Sequence, residues 1–141
     1  MALSFKEGDI LYFTNVSYTD HPKYQLTLST EKDLFFVINS DISNTVAIND
    51  DFKNCQVKLN KQPNHTFMDK DESYIACHQL APIIRCDEIE KMIKEEKVKI
   101  KGKIDEETLA IVKETVLNYC RLTLTPFDIL YVIESLGKIK Y

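Results

Sequence analysis

Four lysines recur at every second position in the C-terminal half of the chain: Lys97, Lys99, Lys101 and Lys103. Successive side chains of an extended strand point to opposite faces, so all four would point the same way if this stretch is extended. Such a row could contact the phosphates of a nucleic acid. The alternative is a solvated strand edge, which lysines commonly protect from pairing with other chains.

Cysteine and histidine offer a second kind of chemistry, but their spacing is irregular. A zinc site would have to combine Cys77 and His78 with His65, although adjacent residues of a strand point to opposite faces and seldom share one ion. No C-x-x-C pair occurs in the sequence. We therefore expect buried, reduced thiols, with no metal and no other cofactor. The four cysteines are Cys55, Cys77, Cys86 and Cys120.

The charge of the chain is unevenly distributed. The 141 residues carry a net charge of −4, which all belongs to residues 1–84, where 7 Lys and Arg oppose 11 Asp and Glu. This surplus of acid disfavours general nucleic-acid binding, because phosphate contacts dominate such affinity. No segment reaches the roughly 18 apolar residues that a membrane helix needs, and the N-terminus lacks a signal-peptide core. We expect a cytoplasmic protein that forms a single domain over residues 1–141 and does not bind membranes.

Short apolar segments separated by polar turns predict strands in the first 84 residues. Residues 24–29 and 55–59 alternate apolar and polar side chains, whereas residues 34–39 are continuously apolar and predict a central strand. Many short strands at this spacing favour a small antiparallel β-barrel over about residues 6–84 of an α+β domain. Further strands are predicted at 8–14, 74–77 and 79–84, with a short one at 46–48.

Three amphipathic helices are predicted in residues 85–141. Asp87 and Glu90 have the spacing of a capping box for the first helix, and Asp105 has the position of an N-cap for the second. The third helix covers residues 126–136, between a Thr-Pro start and a glycine stop. The fold class predicted from the sequence is thus an antiparallel barrel followed by three helices.

The serial order of several motifs resembles the MazF/PemK-like toxin family. The motifs follow the order of that family over residues 6 to about 120, and the resemblance implies an SH3-like barrel. They are Gly-Asp-Ile-Leu-Tyr at 8–12, the segment 21–29 from His-Pro-Lys-Tyr to Leu-Ser, Leu34 to Ser40, Ser-Tyr-Ile-Ala-Cys at 73–77, and Gly-Lys-Ile-Asp-Glu-Glu at 102–107 with Leu109.

The resemblance implies a toxin of a toxin–antitoxin or mobile-element system that cuts single-stranded RNA without a metal. Such a protein forms a homodimer and is neutralised by an antitoxin peptide. Its reaction needs a base that activates the ribose 2′-hydroxyl and a cation beside the scissile phosphate. The resemblance assigns these tasks to His21, Lys23 and Ser40. Lys23 or His21 replaces the arginine of the family, His21 can act as the base, and Ser40 supplies the hydroxyl.

Each candidate also has an ordinary structural interpretation. His21 could be a solvated loop side chain, Lys23 a surface charge, and Ser40 a turn-forming hydroxyl. Tyr12, Phe13, Tyr18 and Tyr24 could stack on bases or belong to the core or its rim. The alternative function is therefore a non-catalytic SH3-like module whose acidic barrel binds a protein partner, and the missing arginine and the negative charge favour it.

Overall fold

One antiparallel sheet organises the part of the chain that the computed structural model describes, residues 2–14 and 23–141. Within these residues the fold is mixed α+β, with six strands and five helices. The strands are β1 (Asp9–Phe13), β2 (Lys23–Ser29), β3 (Leu34–Asn39), β4 (Gln56–Asn60), β5 (Glu72–Ala76) and β6 (Val98–Lys103). The helices are α1 (Asn44–Ala47), α2 (Asp50–Lys53), α3 (Cys86–Lys94), α4 (Glu106–Tyr119) and α5 (Pro126–Leu136).

The sheet is open, so the predicted barrel is not confirmed. The strand order is β4-β5-β3-β2-β1-β6, and β4 and β6 form its two edges within the described residues. The continuously apolar β3 lies inside the sheet, as predicted. Alternating side chains predict that a strand exists, but closure depends on how many strands pair and with what stagger. Here β6, from the C-terminal part, pairs with β1 and extends the sheet.

Strand β6 contains the predicted lysine stretch, but it is irregular. Ile10 pairs with Gly102 and Leu11 pairs with Ile100, which leaves Lys101 as an extra residue on the β6 side. Such a bulge interrupts the regular alternation of side chains along a strand. A Cβ at position 102 would lie 2.3 Å from the ring of Phe67, so a larger residue there would force that ring to move.

The polar segment between β3 and β4 forms two one-turn helices, which the sequence analysis missed. The strand predicted at 46–48 is wrong, and residues 79–84 contain no strand. Ser43 accepts a hydrogen bond from the amide of Val46, and Asn49 accepts from Asp51 and Phe52. Side-chain caps of this kind satisfy the free amides of a first turn and stabilise even short helices.

The three C-terminal helices lie where the sequence predicts them, and two begin with the predicted caps. Asp105 accepts a hydrogen bond from the amide of Thr108, and Thr125 accepts from Asp128. The capping box predicted for α3 is wrong. That helix begins at Cys86, whose amide donates to the carboxylate of Asp33 in the β2–β3 turn, at 2.8 Å. This cap comes from 53 residues away, which a local pattern cannot reveal.

Each face of the sheet is covered by its own set of helices. One face packs against α4 and α5 and includes the buried side chains of Leu26, Phe36 and Ile75. The other face packs against α3 and the N-terminal segment, and includes Phe35 and Phe13. None of the helices in residues 2–14 and 23–141 is long and apolar enough to cross a membrane.

Candidate functional site

A groove of about 720 Å³ lies at the end of the sheet where β1 and β3 end and β2 and β5 begin. Its walls come from the ends of these strands and from the segments 39–46 and 69–70. Strand ends provide a rigid base, and the connecting segments above them carry polar side chains. The groove is therefore a concave surface to which several segments of the chain contribute.

Lys23 and Ser40, two of the three candidates, line this groove. Lys23 is the first residue of β2 and pairs with Phe13, and Ser40 directly follows the last residue of β3. The antiparallel pairing of β2 with β3 brings these two strand ends to the same edge of the sheet. The third candidate, His21, lies outside the described residues.

Two tyrosines form the aromatic part of the groove wall. The rings of Tyr12 and Tyr24 lie 4.6 Å apart between centroids and are tilted by 41°. Both are partly exposed, so ring surface remains available to a ligand. Burial and a hydrogen bond with the carboxylate of Asp69 raise the pKa of Tyr24 well above its ordinary value. Tyr24 therefore stays protonated at neutral pH and acts as a hydrogen-bond donor.

Two of the four predicted lysines adjoin the groove through Tyr12. Lys99 pairs with Tyr12 across the β1–β6 ladder, and residues directly opposite in such a ladder have neighbouring side chains. The Nζ atom of Lys101 lies 5.8 Å from the centroid of the Tyr12 ring, within cation–π range. These two lysines extend the surface of the groove towards the edge of the sheet.

Lys99 pairs with Tyr12 and Lys103 pairs with Asp9, and residues 9 and 12 of β1 lie on opposite faces, so the expectation that all four lysines point the same way is wrong. Lys97 lies 3.9 Å from the carboxylate of Glu95, and the Lys103 ammonium donates to the carbonyl of Lys140 and lies 4.7 Å from the Tyr141 ring centroid. The bulge at Lys101 is the physical reason for the position of Lys103, because it changes which side of the strand the residues after it face.

The formal charges on the groove wall balance. Lys23 and Lys70 oppose Asp41 and Asp69, and Asp69 already accepts a hydrogen bond from Tyr24. An anionic ligand would therefore meet the ammonium groups of Lys23 and Lys70. It would also meet the carboxylate of Asp41, which accepts no hydrogen bond from the described residues of this wall. Lys23, together with the exposed hydroxyl of Ser40, can hold a phosphate group by charge and hydrogen bonding.

The residues considered for zinc lie in separate hydrogen-bond networks. His65 is buried, its Nδ1 bonds the carbonyl of Asn60 at 2.8 Å, and its Nε2 accepts from the amide of Asp105 at 3.0 Å. His78 bonds Gln56 through Nδ1, and burial lowers its pKa. Both nitrogens of His65 are thus used within the protein. In residues 2–14 and 23–141 no group of three or more His, Cys, Asp and Glu side chains could hold a metal ion.

All four cysteines are buried free thiols, as predicted. The structure brings two of them, Cys55 and Cys120, into direct contact, which their irregular spacing in the sequence did not indicate.

No family model, curated protein or solved structure matches this chain.

Proposed function

We propose that this chain is a cytoplasmic, metal-independent endoribonuclease of the MazF/PemK-like type, which cleaves single-stranded RNA in the groove at the end of the sheet. The observation that carries the proposal is that Lys23 and Ser40 line one groove with the Tyr12–Tyr24 pair. The serial order of family motifs along the sequence is the second support. The toxin–antitoxin context of that family belongs to the same proposal.

The proposed reaction is attack of a ribose 2′-oxygen on the adjacent phosphorus, which releases the 5′-oxygen of the next nucleotide. A base takes the proton of the 2′-hydroxyl, the leaving 5′-oxygen takes up a proton from water as its bond to phosphorus breaks, and the product keeps a 2′,3′-cyclic phosphate. Lys23 provides positive charge beside the scissile phosphate, where negative charge develops in the transition state. Ser40 donates a hydrogen bond to a phosphate oxygen. We assign the base to His21, two residues before Lys23 in the sequence.

Substrate binding is assigned to the aromatic and basic residues around the groove. A single-stranded base can stack on Tyr12 or Tyr24 whatever its sequence, since every base has a π-face. Lys99 and Lys101 adjoin Tyr12 and can contact the phosphates that flank a stacked base. Lys97 and Lys103 have partners within the protein and contribute less in this proposal.

Expression in a bacterial host tests the nuclease proposal. Wild-type protein should slow growth and degrade RNA, and the purified protein should cleave an unstructured oligoribonucleotide in the presence of a chelator. His21→Ala, Lys23→Ala and Ser40→Ala should each lower the cleavage rate by about 10²-fold or more, the usual effect of losing an acid–base or electrostatic group.

Lys58→Ala is the matched control for Lys23→Ala. Lys58 lies on the edge strand β4 and does not line the groove. Its exposed ion pair with Glu72 contributes little to stability. Cleavage that continues unchanged in Lys23→Ala and Ser40→Ala would refute the assigned roles. Absence of both toxicity and cleavage in a folded wild-type protein would refute the nuclease.

The second candidate function is a non-catalytic module that binds a protein partner. Exposed apolar side chains around the α4–α5 connection favour it, because exposed apolar patches mark interaction sites in many proteins. Leu122, Phe127 and Leu130 are 80%, 70% and 59% exposed. Light scattering at increasing concentration would detect a homodimer, and Phe127→Ser with Leu130→Ser should abolish it. An antitoxin-like partner would instead leave the isolated chain monomeric and bind the wild type more tightly than this double variant.

A further inference from the structure

Two thiols that are distant in sequence meet in the core on the face of the sheet that packs against α4 and α5. Cys55 lies between α2 and β4, and Cys120 directly follows the last residue of α4. Their sulfur atoms are 3.2 Å apart, although 65 positions separate them in the chain. Both side chains are fully buried. The contact is therefore made only by the folded protein.

The surroundings of the two sulfur atoms are polar for a protein core. The Cys120 thiol also lies 3.2 Å from the carbonyl oxygen of Cys77, and the Cys55 thiol lies 3.1 Å from that of Asp51. The Thr123 hydroxyl is 3.8 Å from the Cys55 sulfur. A hydrogen bond from Cys120 lowers the pKa of Cys55 to about 7, so a thiolate forms there more readily than in an ordinary thiol. In contrast, the same interaction raises the pKa of Cys120.

We propose that Cys55 and Cys120 are a redox-active dithiol that a hydroperoxide converts to a disulfide. The Cys55 thiolate attacks the terminal oxygen of the peroxide, the O–O bond breaks, and an alcohol or water leaves. The Cys55 sulfenic acid then reacts with the Cys120 thiol, which forms the S–S bond and releases water. In total, two thiols and one hydroperoxide give one disulfide, one alcohol and one water, and the two electrons lost by sulfur reduce the O–O bond.

The folded structure needs little movement for this reaction. A disulfide has a sulfur–sulfur distance of about 2.05 Å, so the two side chains must approach by only about 1 Å from their present contact. Since both thiols are buried, the proposed reaction requires local opening of the structure around them. The bond would tie the C-terminal end of α4 to the start of β4. The segment before β4 contains α1 and α2, and its residues 39–46 form one wall of the groove.

Peroxide treatment followed by thiol counting tests the proposal. The reduced protein is exposed to hydrogen peroxide, its remaining thiols are alkylated in denaturant, and the digested chain is analysed by mass spectrometry. We expect the four thiols to fall to two, with a linked peptide pair that contains Cys55 and Cys120. The oxidised protein should melt at a higher temperature than the reduced one, because a cross-link restricts the unfolded chain, and a reductant should reverse the shift.

Two kinds of variant make the test specific. Cys86→Ser removes a buried thiol on the other face of the sheet and should still lose two thiols on oxidation. Cys55→Ser and Cys120→Ser should form no internal cross-link. The wild-type peptide map needs no variant, so it remains decisive if a substitution impairs folding. A protein that keeps all four thiols while its methionines become oxidised would overturn the proposal, and so would a cross-link to Cys77 or Cys86. Neither result depends on whether the chain cleaves RNA.

Discussion

The two faces of the sheet are stabilised in different ways. The face under α4 and α5 holds a broad apolar core, in which Leu26, Phe36 and Ile75 are fully buried. The face under α3 is smaller, and it buries the polar side chains of Gln25 and Thr27 among apolar neighbours. The larger face depends on packing, whereas the smaller face depends on a few hydrogen bonds that join distant parts of the chain.

Hydrogen bonds from two distant parts of the chain, the N-terminal segment and the β2–β3 turn, attach α3 to the rest of the protein. The buried carboxylate of Glu90 accepts hydrogen bonds from the amide and the hydroxyl of Ser4, the latter at 2.7 Å. Asp33 accepts from the first amide of α3, that of Cys86. Long-range polar contacts therefore replace apolar area where the core is small, and single substitutions can compare the two faces.

The largest expected effect comes from two neighbouring phenylalanines on β3. Phe36 faces the larger core and Phe35 faces the smaller one. Since the two residues are adjacent in β3, their substitution compares what the same side chain contributes to stability on each face. Phe36→Ala should lower the free energy of unfolding by about 4 kcal/mol, and Phe35→Ala by about 3 kcal/mol, because the N-terminal segment can move into part of the cavity. Urea denaturation measures both values. A greater loss for Phe35→Ala would contradict this ranking of the faces.

Glu90→Gln should cost about 2 kcal/mol at pH 7, since it removes a buried charged acceptor from two donors. Hydrogen bonding to the Ser4 amide lowers the pKa of Glu90 below 4.5. A lowered pKa stabilises the fold above the unfolded value of about 4.5, and this contribution disappears as the pH falls through the lower folded value. Wild type and Glu90→Gln should therefore converge in stability at acid pH. The control is Glu88→Gln on the exposed side of α3, and an equal effect there would exclude a specific role for Glu90.

Removal of the long-range cap of α3 should cost about 1 kcal/mol in Asp33→Gly, as for other N-cap losses. Asp33 has a φ of +57°, which glycine and asparagine tolerate, so neither substitution strains the turn. Asp33→Asn keeps an acceptor oxygen, so its free energy of unfolding should fall by only about 0.3 kcal/mol. Hydrogen exchange of the Cys86 amide reports the cap directly. Equal protection of this amide in wild type and Asp33→Gly would show that the cap contributes nothing.

The last expected effect is a gain in stability. The Thr27 hydroxyl is buried and has no hydrogen-bond partner among the described residues. Thr27→Val should raise the free energy of unfolding by about 1 kcal/mol, because it removes an unsatisfied polar atom and keeps the shape. The matched control is Thr30→Val, which should lose stability because the Thr30 hydroxyl donates to Glu7 at 2.9 Å. A loss in Thr27→Val would reveal a partner for that hydroxyl.

The candidate site was only partly accessible from the sequence. The resemblance placed Lys23 and Ser40 at strand ends, and the structure brings both to one groove. The Tyr12–Tyr24 contact and the Asp69 partner of Tyr24 were not predicted, because they depend on side chains that meet only after β1 and β2 pair. The prediction that four lysines point the same way was wrong for a related reason, since the bulge arises only when β6 pairs with β1.

The sequence by itself determined the positions of most strands and of the three long helices. The information for these elements lies within a few residues: alternating side chains in β2 and β4, and the caps Asp105 and Thr125. Only the tertiary structure decided that the sheet stays open, that Asp33 caps α3, and that two distant thiols touch. The physical reason is the distance along the sequence over which each kind of interaction acts. Periodicity and capping act between near neighbours, whereas sheet closure, long-range caps and thiol contacts depend on which segments pack together.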